Sequence, residues 1–124
     1  MKGAKEFLEE ADAVVPRITA EDGIAKHKDG GSVFLDVRDS SDIANSGTIA
    51  GAVRIPRGMI EFAADPNTPF HETRLNYDAD IVIVCGAGGQ AALTGKTLVD
   101  MGYKNVSNVG GFNDWKTAGG PTEG

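Results

Sequence analysis

The sequence is poor in the residues that bind metals and form disulfides. Its 124 residues include one cysteine, Cys85, and two histidines, His27 and His71. A lone cysteine forms no internal disulfide, and no close His/Cys spacing typical of a zinc site is present, so we expect neither a metal nor another cofactor. The lack of disulfide-forming cysteines favours the reducing cytoplasm as the location.

Long apolar runs and an excess of basic residues are also missing. The longest apolar segments have four residues, and the first ten residues carry Lys and Glu without an apolar core, so we expect neither a membrane span nor a secretory signal. The formal net charge is −6, whereas nucleic-acid-binding proteins carry a basic surface. These absences predict a protein without membrane or nucleic-acid partners.

Short apolar runs alternate with segments of helical periodicity. Residues 81–84 are β-branched throughout, which is typical of a central strand with both faces covered. Further strands are predicted at 33–37, 52–55 and 106–109, and helices at 4–14, 19–28, 90–101 and 112–118. This alternation predicts an α/β domain with a mostly parallel sheet.

Cys85 follows strand 81–84, and active groups of parallel sheets lie beyond the carboxyl ends of strands. The segment 86–90 has three glycines in five residues, so its N–H groups can turn toward one point at the start of helix 90–101. Those donors and the helix dipole favour negative charge, and therefore the nucleophilic thiolate. The alternative is an inert, buried cysteine, but such a position does not need a glycine loop.

Three other loop chemistries are disfavoured by the residues around Cys85. A phosphatase loop of the Cys-x5-Arg type needs an arginine where this chain has Ala91. A dinucleotide-binding loop needs further strands, but few residues follow the strand at 106–109. The tripeptide 95–97, Gly-Lys-Thr, lies inside a predicted helix and lacks the glycine that a P-loop requires at Gln90.

Five segments, in this order and spacing, resemble the rhodanese family and specifically its single-domain sulfurtransferases. They are Leu35-Asp36-Val37-Arg38-Asp39, Gly47 to Pro56, Cys85 to Gln90, Asp100 to Val106, and Gly110-Gly111-Phe112-Asn113-Asp114-Trp115. The resemblance extends from about Pro16 to Pro121. It implies one rhodanese-like domain over residues 1–124, with a central parallel sheet of about five strands flanked by helices on both faces.

The resemblance also implies the chemistry of Cys85. As the catalytic residue, Cys85 would take a sulfane sulfur from thiosulfate or a persulfide donor, become a persulfide, and pass the sulfur to a thiol or cyanide. A protein sulfur acceptor is a further expected partner, and we expect a monomer. The substrate-binding residues would be Gly86, Ala87, Gly88, Gly89 and Gln90, whose N–H groups would stabilise the anionic persulfide. The six-residue loop has the length that the family uses for sulfur, whereas the related phosphatases use a longer one.

Two segments depart from the family pattern: the end of the loop at Gln90, and Thr48-Ile49-Ala50, which stands where the family commonly has His-x-Pro. Gln90 stands where the family usually has arginine, so thiosulfate, a dianion, should bind less well than in typical members. Arg57 follows a strand end and is a candidate for the missing positive charge; the alternative is an exposed arginine on a helical turn. Gln90 therefore keeps a second hypothesis open, a catalytically weak sulfur-carrier or protein-interaction module. Asp36 and Arg38 are interpreted as a structural ion pair.

Overall fold

A central sheet of parallel strands organises the chain in this computed structural model, which describes residues 1–124. The strands along the chain are β1 (Ser32–Asp36), β2 (Thr48–Ile49), β3 (Val53–Arg54), β4 (Asp80–Cys85), β5 (Asn105–Gly111) and β6 (Thr122–Glu123). The main sheet has the order β3-β1-β4-β5 with every pair parallel, and β2 pairs antiparallel with β6. The apolar run 81–84 thus lies in an interior strand, fully buried as its composition predicts.

Helices cover both faces of the sheet. They are α1 (Ala4–Val14), α2 (Ala20–Asp29), α3 (Ser40–Ser46), α4 (Ile60–Ala63), which follows a 3-10 turn at Arg57–Met59, α5 (Gly89–Asp100) and α6 (Phe112–Thr117). The larger apolar cluster includes Leu98 of α5 and Ile60 of α4, and the smaller one includes Trp115 of α6 on the other face. None of these helices combines the length and the apolar content that a membrane span requires.

The predicted fold class is confirmed, but the main sheet has four strands rather than about five. The segment 16–18 lies beside β5, where a fifth strand would be, and makes only a single parallel bridge between Arg17 and Asn108. Pro16 has no N–H to extend the ladder, and Thr19 already caps α2 by accepting a hydrogen bond from the Asp22 N–H. The chain therefore leaves the sheet edge after one residue pair.

Tyr103 fixes the long connection between α4 and β4. Its hydroxyl lies 2.7 Å from the Ala64 carbonyl oxygen and 3.2 Å from that of Leu75. Burial raises the pKa of Tyr103 to about 12, so the hydroxyl stays a protonated donor at neutral pH. Because Tyr103 belongs to the same apolar cluster as Leu98 of α5, these bonds attach the connection to the sheet face that carries α5.

Candidate active site

Cys85 is the last residue of β4 and lies between the carboxyl ends of two neighbouring strands. In the sheet register Val84 is opposite Asp36 of β1, and Cys85 is opposite Gly111 of β5. The cysteine is 1% exposed. The residue nevertheless lines a cleft of about 520 Å³, together with four residues of the loop that follows it.

The loop holds the sulfur through the backbone of Gly88. The Gly88 N–H donates a hydrogen bond to Cys85 Sγ over 2.9 Å. Gly88 is the N-cap of α5 and has a φ of +102°, a conformation that favours glycine. The N–H groups of Ala87, Gly89 and Gln90 donate to no group of the protein and belong to the loop that lines the cleft. The predicted glycine loop therefore forms, with one donor already on the sulfur.

Helix α3 forms the opposite wall of the cleft through three side chains that the sequence analysis did not select. Asp42, Asn45 and Ser46 face the cysteine loop across the cleft. Their i, i+3, i+4 spacing places them on one helical face. Because α3 directly follows the carboxyl end of β1, its polar face could have indicated from the sequence that α3 lines a cleft at that edge of the sheet.

Arg38 also lines the cleft and is tied to Asp36 beneath it. Its Nε lies 3.1 Å from Asp36 Oδ1, and its Nη2 lies 2.8 Å from Asp36 Oδ2. Asp36 is 0% and Arg38 8% exposed, and the guanidinium also stacks 4.6 Å from the centre of the Phe112 ring. The two side chains form the expected ion pair, which also places a neutralised guanidinium in the cleft that Cys85 lines.

Of the predicted binding residues, the structure brings Gln90 into the cleft but not Arg57. Gln90 is exposed at the rim, beside Cys85 and opposite Asp42. Arg57 lines a different cleft, between α1 and α5, where its Nη2 donates to Thr97 Oγ1 over 3.0 Å and its Nη1 pairs with Glu61. The Thr97 and Glu61 contacts hold the guanidinium there, so Arg57 does not supply the charge that Gln90 lacks.

Arg17 supports the loop from the side away from the cleft. A Cβ added to Gly88 would lie 2.9 Å from Arg17 Nη1, so the guanidinium packs directly against that glycine. Arg17 is also the only arginine of the chain without an ion pair. Its charge therefore remains available to favour an anion in the loop. The short strand-like segment 16–18 places it there, a contact that the sequence pattern did not indicate.

Replacing Gly111 by alanine should lower the alkylation rate of Cys85 roughly tenfold, since misplacement of a reacting group by about 1 Å can cost up to a hundredfold. A Cβ at Gly111 would lie 2.5 Å from the Gly86 carbonyl oxygen, so the cysteine loop must shift. The φ of Gly111 is −87°, which alanine adopts freely, so the effect comes from overlap alone. Iodoacetamide labelling at neutral pH measures the rate. Gly31→Ala, whose Cβ meets nothing within 4 Å, is the control, and equal rates in the two variants would contradict the prediction.

Comparisons of sequence and structure identify known proteins that are similar to this chain. The chain is 31% identical over 116 residues to the putative sulfur carrier protein YrkF of Bacillus subtilis. The aligned region covers 92% of this chain but only 57% of that relative. It is 30% identical over 86 residues to the thiosulfate sulfurtransferase GlpE of Haemophilus influenzae, covering 68% of this chain and 73% of the relative. A solved structure from Rhodopseudomonas palustris, a protein of unknown function described as a possible tyrosine phosphatase, is 40% identical. It superimposes with a TM-score of 0.93 over 99% of this chain and 96% of that one.

The family follows from the profile match together with the fold and the loop. The profile described as Rhodanese-like domain matches residues 19–118, which include the whole sheet from β1 to β5 and the cysteine loop. The chain therefore belongs to the rhodanese-like domain family.

Proposed function

We propose that this chain is a sulfurtransferase in which Cys85 accepts a sulfane sulfur from thiosulfate or a persulfide and passes it to a thiol or cyanide. Residues 1–124 would act as one domain. The observation that carries the proposal is the hydrogen bond from the Gly88 N–H to Cys85 Sγ, inside a loop with further unpaired N–H groups. The names of the B. subtilis and H. influenzae relatives support sulfur transfer in general.

The chemistry needs no external oxidant or reductant. The Cys85 thiolate attacks the outer sulfur of thiosulfate, a new S–S bond forms, and the bond to the inner sulfur breaks as sulfite leaves with the electron pair. Cyanide then attacks the terminal sulfur of the Cys85 persulfide, and thiocyanate leaves while the thiolate is restored. With a persulfide donor the leaving group is instead the donor's thiolate.

The loop suits the intermediate of these steps. A persulfide carries negative charge on its outer sulfur, one bond farther from the backbone than the thiolate charge. The free N–H groups of Ala87, Gly89 and Gln90 supply donors for that charge, and Arg17 adds a positive charge behind Gly88. Neutral N–H donors suit a single outer sulfur, whereas the several oxygens of a phosphoryl group are bound best by the two-pronged guanidinium of an arginine.

The proposal is tested by sulfur transfer from two donors to cyanide, measured as thiocyanate. Thiosulfate and glutathione persulfide are each supplied to the purified chain, and p-nitrophenyl phosphate is supplied in a parallel assay. We expect catalysed thiocyanate formation with at least one sulfur donor and no phosphate release. Phosphate release without sulfur transfer would contradict the proposal and would favour the phosphatase chemistry suggested for the R. palustris protein.

Gln90→Arg should raise kcat/KM for thiosulfate by roughly tenfold, equivalent to about 1.4 kcal/mol of added binding to the transition state. The cleft holds the free carboxylate of Asp42, while Arg38 is already neutralised by Asp36, so a dianion finds no unpaired cation there. An arginine at position 90 supplies one and can bind two oxygens at once. The measurement is the initial rate of thiocyanate formation against thiosulfate concentration.

Gln90→Met is the matched control, because methionine has a similar length to glutamine and is also uncharged. Its kcat/KM should stay within about twofold of the wild-type value, a difference below 1 kcal/mol. A Gln90→Arg variant no faster than Gln90→Met would show that charge at this rim does not select the donor. A large gain instead indicates that thiosulfate is not the preferred donor of the natural loop, which is also what a sulfur-carrier role alongside a specific protein predicts.

A further inference from the structure

The side chain of Asn108 lies behind the cysteine loop and is not among the residues that line the cleft. Asn108 is on β5, opposite Ile83 of β4, and is 0% exposed. The register between the two strands shifts at the next position, so that Val84 is opposite Gly110 and Val109 is left as an extra residue. This bulge turns the end of β5 beside the loop.

Asn108 uses both ends of its amide to tie this bulge to the loop. Its Nδ2 donates to the Gly88 carbonyl oxygen over 2.9 Å, and its Oδ1 accepts from the Gly110 N–H over 2.8 Å. A buried amide is costly unless both ends are bonded, and only a residue with a donor and an acceptor at this length satisfies both partners. The main chain of Asn108 is itself held, because its N–H donates to Pro16 and its carbonyl accepts from Ile18.

The residue that Asn108 anchors is the residue that holds the sulfur. The Gly88 carbonyl accepts from Asn108 and from the Ala92 N–H of α5, while the Gly88 N–H donates to Cys85 Sγ. A glycine with a φ of +102° has no side chain of its own to restrict it. The Gly88 N–H and the Gly88 carbonyl belong to consecutive peptide groups joined at the Gly88 Cα. The bonds from Asn108 and Ala92 to the carbonyl hold one of these groups and so restrict the direction of the other.

We propose that Asn108 is a positioning residue for Cys85, which holds the Gly88 carbonyl and thereby restricts the backbone at Gly88 so that the Gly88 N–H stays directed at the sulfur. Its hydrogen bonds favour the thiolate through Gly88 and fix the position of the loop relative to β5. The inference rests on the proposed function for its meaning in sulfur transfer. Its test does not, because alkylation of Cys85 requires no sulfur donor.

Asn108→Leu tests the role without changing the charge or the branching of the side chain. We expect the pH of half-maximal alkylation by iodoacetamide to rise by about one unit, which lowers the rate at pH 7 up to about tenfold. The charged groups that face the loop are Arg38 and Asp42 in the cleft and Arg17 behind Gly88, and the substitution leaves them in place. A folded variant with the wild-type pH profile, however much its melting temperature falls, would overturn the proposal.

Asn105→Leu is the control on the same strand. Asn105 is exposed at the start of β5, and its side chain makes one long bond of 3.4 Å to the Asp78 carbonyl, so its pH profile should match that of the wild type. If Asn105→Leu shifts the profile as much as Asn108→Leu does, the effect is a general loosening of β5 and the assignment to Asn108 falls.

A measurement on the unmodified chain covers the case in which Asn108→Leu does not fold. In an NMR titration, the side-chain amide of Asn108 and the N–H of Gly88 should shift with the same midpoint pH as the alkylation of Cys85, while the Asn105 amide should not. An Asn108 amide that stays constant through the ionisation of Cys85 would overturn the proposal. Failure of every sulfur donor, with these shifts intact, would instead remove the proposed function and leave the positioning role standing.

Discussion

Cys85→Ser should lose sulfur transfer by roughly a thousandfold or more while the chain stays folded, as expected when a nucleophile is removed. A serine hydroxyl cannot form a persulfide, and the chain has no second cysteine to replace it. The hydroxyl is smaller than the thiol but can still accept the hydrogen bond from the Gly88 N–H, the one bond that Cys85 Sγ makes. The free energy of unfolding should therefore fall by no more than about 2 kcal/mol.

The two readouts are thiocyanate formation and urea denaturation of the same preparations. Cys85→Ala is the companion variant, because it removes the hydrogen-bond acceptor as well and should be equally inactive. Full activity of either variant would refute a persulfide on Cys85. If Cys85→Ser is inactive because it unfolds, Cys85→Ala provides the test instead, because its methyl group suits the apolar cluster that contains Cys85.

Arg38→Met should destabilise the chain by about 3–5 kcal/mol, the range for breaking a buried ion pair from one side. Asp36 is 0% exposed and would keep only the Thr48 hydroxyl, at 2.6 Å, and the Arg38 backbone N–H, at 3.0 Å, as donors. The variant also loses the bonds from the guanidinium to Ser46 Oγ and to the Gly47 carbonyl. A carboxylate would then remain buried without its cation. Urea denaturation of the variant measures the loss.

Arg54→Met is the matched control, since it breaks an arginine–carboxylate pair at the surface. Arg54 and Glu123 lie 3.2 Å apart with side chains 46% and 44% exposed, so its loss should cost less than about 1 kcal/mol. Similar losses in the two variants would contradict the structural role assigned to the Asp36–Arg38 pair. Adding Asp36→Asn to Arg38→Met should recover part of the stability, because it removes the unpaired charge.

The fold was largely predictable because its strongest signals are local. The β-branched run 81–84, the Thr19 cap and the helical periodicity of 90–101 each correspond to an observed element, β4, α2 or α5. The pairing of β2 with β6 was not predictable, because it joins two-residue strands more than seventy positions apart. Thr48–Ile49 has no alternation long enough to read, and its partner is fixed by tertiary contacts alone.

The part of the site that is contiguous in sequence was predictable, whereas its contacts between residues distant in sequence were not. The loop from Cys85 to Gln90 carries its own signal in its glycines and in the strand before it. Arg57 was misplaced because a residue near a strand end can extend its side chain several ångströms in any direction, and here it reaches Thr97. Asp42 in the cleft wall and Asn108 behind the loop lie near Cys85 because of the order of the strands in the sheet. The sequence alone does not determine that order.

The intact mass of the chain after treatment with a sulfur donor tests the central claim most directly. Purified protein is incubated with thiosulfate or glutathione persulfide, desalted without reductant and measured. We expect a gain of about 32 Da, one sulfur atom, that cyanide removes and that Cys85→Ser does not show. An unchanged mass with both donors, or an equal gain on Cys85→Ser, would contradict a sulfur-carrying Cys85.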